Sequence, residues 1–147
     1  MYSQQQIENL ILKFKNTSLN KPEWNHEAHI IVAIWYNWHY TFEQALKIVR
    51  TNIKAYNESV GTPNTEISGY HETLTVFWIT LTKNFLAYNF HDKIDNAINE
   101  FLKTREADIS TTSAYYSNEV LFSKKARREW INGNKKPINL DFNNLNV

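Results

Sequence analysis

Only three glycines and three prolines interrupt this 147-residue chain. A sandwich or barrel of short strands needs turn residues about every ten positions, and this chain has too few of them. Aromatic side chains make up 14% of the residues, which suits long helices packed through large rings. The chain therefore reads as all-α, a single-domain helical bundle of about five to six helices. Residues 1–131 form the expected domain, long enough to bury roughly two-thirds of the surface its unfolded chain exposes. Residues 132–147 are rich in asparagine and are expected to form an extended C-terminal tail, pinned by Ile138, Leu140 and Phe142.

Capping residues and apolar spacing divide the domain. Ser3 caps a first helix to about Lys15, with Ile7, Leu10, Ile11 and Phe14 on one face. Asn25 caps a second helix to about Tyr40, with Trp24 before the cap and His29 four positions in, the arrangement of a hydrophobic staple. Thr41 caps a third, whose stripe of Ala45, Leu46, Val49, Ile53, Tyr56 and Val60 stops at Gly61. Ser68 is expected to cap a fourth, with Leu74, Trp78, Leu81 and Phe85 inward and an end near Asn89. Asp92 and Ser123 cap two further helices, the last ending near Gly133; residues 107–122 give no clear pattern.

Several classes of function are set aside by composition. The chain has no cysteine, so any metal centre must use nitrogen and oxygen ligands. A net charge of +1 lacks the positive field that dominates nucleic-acid affinity, so no nucleic-acid partner is expected. Gln4, Gln5, Gln6 and Glu8 stand where a signal peptide would be basic and then apolar, and no stretch has the length of a membrane span. The expectation is a cytoplasmic protein with no membrane partner.

Three of the five histidines fall in Trp24-Asn25-His26-Glu27-Ala28-His29 and Gly69-Tyr70-His71-Glu72-Thr73. Short connections favour antiparallel neighbours, so helices two and four are expected to start at the same end of an up-down-up arrangement. His26 and His29, three apart, share a helix face, and Glu27 lies about 100° round from His26. His71 shares the stripe of Leu74 and Trp78. His26, His29, His71 and Glu72 are thus the candidate metal ligands, with Glu72 as fourth ligand or catalytic general base. Zinc is the first expectation for the divalent metal, then iron, nickel or manganese. A metal-held water would be a nucleophile near neutral pH.

Plainer roles exist for the same residues. One of His26 and His29 would face solvent while the other packs on Trp24, and His71 would bond back toward Ser68 as a substitute capping box. His39 and His91 are expected at the surface. Lys124, Lys125, Arg127 and Arg128 read as a solvated face balanced by Glu119 and Glu129.

The pattern Trp24-x-His26-x-x-His29, then Tyr56-Asn57, Gly61, Asn64-Thr65, Gly69-Tyr70-His71-Glu72-Thr73-Leu74-Thr75, and Tyr116-Ser117 with Arg127, resembles a family of small uncharacterised bacterial all-helical proteins. The resemblance spans about residues 24 to 128 and brings no activity with it. It implies a shared site, and it draws Tyr116 and Arg127 in beside Tyr56 and Asn57 as substrate-binding groups.

The leading expectation is a metal-dependent enzyme, a hydrolase or oxidoreductase, acting on a small polar molecule at one end of the bundle. The alternative is a metal-free binding module that holds a small anion or other small molecule at the same helix N-termini. A second copy of the chain is an allowed partner, through exposed aromatics.

Overall fold

The computed structural model describes residues 1–140, and all its α-helices but one begin where a side chain takes over an N–H group that a helix start leaves unpaired. Ser3 accepts from the Gln6 N–H and Thr41 from that of Gln44. Each glutamine side chain reaches back to its cap, so α1 (Gln4–Lys15) and α3 (Phe42–Ser59) both start from capping boxes. Asn25 caps α2 (His26–His39) through the Ala28 N–H. At the end of α3, Gly61 takes φ +77°, the Thr62 N–H bonds to the Asn57 carbonyl at 2.8 Å, and that of Gly61 bonds to Glu58 at 3.2 Å. This is a Schellman motif, and it explains why the apolar stripe stops there.

The remaining helices are α4 (Glu72–Tyr88), α5 (Ile94–Leu102), α6 (Asn118–Leu121) and α7 (Lys124–Arg128), with 3₁₀ turns at Lys21–Glu23, Arg105–Ala107 and Ile109–Ala114. No strand occurs among the described residues, and the fold is all-α, as composition requires. Residues 107–122, unreadable from spacing, are mostly 3₁₀ turn and the short α6.

Two helices are buried on every side along their middle turns, and they form the centre. Ile30 to Asn37 of α2 and Val76 to Thr82 of α4 are buried without a break, the mark of a helix surrounded by others. α4 is therefore not the one-faced helix that Leu74, Trp78, Leu81 and Phe85 suggested. Its buried hydroxyls are satisfied within the helix: Thr80 donates to the Val76 carbonyl and Thr82 to that of Trp78, both at 2.7 Å. α1, α3, α5 and α7 pack round this pair.

α4 starts at Glu72, three residues later than a Ser68 cap would place it, and its N-cap is His71. The delay comes from the preceding loop. Gly69 has φ +77°, and a Cβ there would lie 2.4 Å from the Pro63 carbonyl oxygen, so the chain turns at Gly69 and becomes helical only beyond it. α5 likewise begins after Lys93, with no side-chain cap from Asp92.

The expected tail starts by lying along the body. The Lys135 N–H bonds to the Tyr115 carbonyl at 2.9 Å, Asn84 donates to Asn139, and Ile138 is buried; Phe142, the third expected anchor, lies outside the described residues. No helix among the described residues is long and apolar enough to cross a membrane.

Candidate functional site

The start of α2 does not lie level with the start of α4. The His26 ring packs edge-on to Trp78 with centroids 4.9 Å apart, and Trp78 is about 10 Å along the α4 axis from His71. His26 and His71 are also held by different segments: Nε2 of His26 donates to the Ala107 carbonyl at 2.7 Å, and Nε2 of His71 to that of Leu121 at 2.8 Å. Among the described residues no group of three His, Asp or Glu side chains is placed to hold a metal ion.

His71 is occupied at both ring nitrogens. Its Nδ1 accepts the Leu74 N–H at 3.1 Å, which requires a lone pair there and assigns the proton to Nε2. Both ring nitrogens are thus engaged with the backbone. Burial holds its pKa below the ordinary histidine value. His29 stacks on Trp24 at 3.7 Å, the staple that the spacing suggested, and donates from Nδ1 to the Asn25 carbonyl at 2.7 Å. Burial pushes its pKa down to about 4, so it is neutral at physiological pH.

Glu72 faces α3. Arg50 donates to both carboxylate oxygens, from Nε at 2.9 Å and Nη2 at 2.8 Å, and the Tyr70 hydroxyl donates to Oε1 at 2.5 Å. Burial works against the carboxylate's charge, but Arg50 and Tyr70 outweigh it, and the pKa ends below the ordinary value. A carboxylate held this way is a weak base. Lys54 stands over the Tyr70 ring at 5.0 Å.

The four proposed substrate contacts hold the fold together. The Tyr56 hydroxyl donates to the Leu19 carbonyl, and Asn57 donates to the Asn64 side chain. The Tyr116 hydroxyl donates to the Ile131 carbonyl at 2.5 Å, and Arg127 donates to the carbonyls of Gly69 and Tyr70. The whole Gly69–Thr73 string works as a clamp. Thr73 completes it by donating to the Glu129 carbonyl at 2.8 Å and accepting the Ile131 N–H at 3.1 Å.

A different place offers open space with unspent chemistry. Where the last turns of α2 and α4 meet the chain following α4, eight of the described residues line a cavity of about 220 Å³, among them Asn37, Trp38, Lys83, Leu86, Phe90 and His91. Nζ of Lys83 donates to the Asn37 carbonyl at 3.1 Å, which caps the C-terminal end of α2 and leaves two N–H groups without a partner among the described residues. No acidic residue lines this cavity among the described residues, and burial holds the Lys83 pKa below the ordinary lysine value. Asn37 donates to the Ile79 carbonyl and the Thr82 hydroxyl, while its Oδ1 is buried without a partner among the described residues.

His91, expected at the surface, is a wall of the cavity. Its side chain is 7% exposed, it stacks on Phe85, and its nitrogens face the Asn89 carbonyl at 2.8 Å and the Glu100 carboxylate at 2.6 Å. A larger space of about 750 Å³ lies beside α5. It is an open groove in which Tyr2 and Asn99 already bond to each other.

Lys83, Trp38 and His91 were not nominated by sequence. A lysine on a long helix and a histidine after one both look solvated until their neighbours are known. Comparison with protein-family profiles, with curated proteins and with solved structures found no match to this chain.

Proposed function

We propose that this protein is a metal-free binding module for a small anion, with Lys83 as the group that meets the negative charge. The observation that carries this reading is the half-buried Lys83 ammonium in a cavity wall that no acidic residue lines among the described residues. A cation that has lost part of its hydration without gaining a counter-charge is a place where an anion binds favourably. The anion would sit here and not at the helix starts of α2 and α4, because the Asn25 and His71 side chains already accept N–H groups there.

Backbone amide NMR during titration with sodium benzoate and sodium acetate, in the presence of EDTA, tests this reading. Saturable shifts centred on residues 37–38 and 83–91, lost in Lys83→Met, are the expected result. Shifts that survive Lys83→Met, or that vanish with EDTA, would overturn it.

A second reading keeps a metal at the start of α2. The His29 Nδ1–H bonds a backbone carbonyl, the orientation that presents Nε2 to a metal, and His26 is three residues earlier on the same helix. Two imidazoles would hold zinc, iron, nickel or manganese only with ligands from a substrate or partner. Zinc binding measured by calorimetry on untagged protein, and its loss in His29→Gln, would favour this reading over the first.

A further inference from the structure

We infer that the anion held at Lys83 is a monocarboxylate carried on one aromatic ring. This inference rests on the anion-binding reading above and adds to it the size, charge and shape of the ligand.

Volume sets the size. An apolar cavity of about 150 Å³ accepts benzene, and sites for drug-sized molecules start at about 300 Å³. A space of about 220 Å³ therefore suits one ring with one small substituent. Charge sets the substituent. Among the described residues, Lys83 offers a single ammonium with two N–H groups free, while His91, the other titratable residue lining the space, already faces Glu100. One cation matches a carboxylate; a phosphate dianion would need a second cation or an arginine fork.

The aromatic walls set the shape. Trp38 and Phe90 both line the space, and Phe90 is 92% exposed. A partner that covers this ring removes its apolar area from water. A ring between Trp38 and Phe90 would do so, in the offset or edge-on geometries that aromatic pairs prefer. Its carboxylate would then point inward to Nζ of Lys83.

The test uses 4-fluorobenzoate followed by fluorine NMR, with acetate, cyclohexanecarboxylate and inorganic phosphate as competitors. The expected result is saturable 4-fluorobenzoate binding, with acetate and phosphate at least tenfold weaker and cyclohexanecarboxylate in between. Phe90→Ala, at a position exposed enough to leave the fold intact, should weaken 4-fluorobenzoate severalfold and leave acetate unchanged; Trp38→Leu should weaken it more. Equal affinities for acetate and 4-fluorobenzoate, with both lost in Lys83→Met, would overturn the ring and leave the anion site standing. Failure of every anion to bind the wild-type protein, or binding indifferent to Lys83→Met, would overturn both.

Discussion

Arg50 grips both carboxylate oxygens of Glu72 with separate hydrogen bonds, at 2.9 and 2.8 Å, and so ties the middle of α3 to the first residue of α4. Tyr70 bonds the same carboxylate, so the three side chains act as a unit. Removing the guanidinium in Arg50→Met should cost about 1–2 kcal/mol, since the pair is partly exposed, and Tyr70→Phe about 1 kcal/mol. Because both act through Glu72, the double variant should depart from the sum of the two. Urea denaturation of the four proteins measures this, and strict additivity would show that Tyr70 and Arg50 do not share a partner.

Gly69 and Gly61 have the same φ of +77° but different surroundings. A Cβ at Gly69 would lie 2.4 Å from the Pro63 carbonyl oxygen and 2.6 Å from Asn64 Oδ1, whereas at Gly61 nothing lies within 4 Å. Gly61→Ala should therefore cost only the backbone penalty of about 1–2 kcal/mol. Gly69→Ala should cost about 2 kcal/mol more, because the loop that sets the start of α4 must move as well. Equal midpoints for the two variants in a thermal melt would refute the close approach.

His29 makes stability depend on acid. Its pKa falls from 6.5 in the unfolded chain to about 4 in the fold, so below pH 6.5 the unfolded state takes up a proton that the folded state refuses. The stabilisation is complete above that pH and is lost as pH falls toward 4, at up to about 1.4 kcal/mol per pH unit. His71, also lowered by burial, pulls in the same direction. Unfolding free energies between pH 7 and 4 should fall more steeply for the wild type than for His29→Gln, and parallel curves would show that His29 is not buried as a neutral ring.

Lys83 gives the proposed binding site its own pH signature. Burial lowers its pKa in the free protein, and a bound anion would raise it again by favouring the ammonium. Binding of benzoate should therefore take up protons, and affinity should fall as pH rises through the free lysine's titration. Calorimetry in two buffers of different ionisation enthalpy, at a series of alkaline pH values below the ordinary lysine range, reads the uptake directly, and Lys83→Met should abolish it.

Local signals were legible in this chain, and axial offsets were not. Ser3, Asn25, Thr41 and Ser123 each cap the helix that their spacing marks, because a cap acts within three residues of itself. The Trp24–His29 staple is equally local. Helical periodicity tells which face turns inward but not how far one helix slides along another, so it could not reveal that His26 lies beside Trp78 instead of His71. The Gly69–Thr73 string stood out for a reason that sequence alone could not separate from a site. All five residues are committed, but to Arg50, Asn64, Leu121, Arg127, Glu129 and Ile131. His91 reads as a surface residue from sequence because its carboxylate partner, Glu100, stands in the next helix, α5.

The clamp at the start of α4 also orders events in time. His71 and Thr73 find their partners at Leu121, Glu129 and Ile131, some fifty residues later in the chain. As the chain leaves the ribosome, these two buried polar groups remain without their partners until the last third has been synthesised, so α4 cannot settle one helix at a time from the N-terminus. Closure of the whole bundle is thereby tied to the arrival of its C-terminal segments.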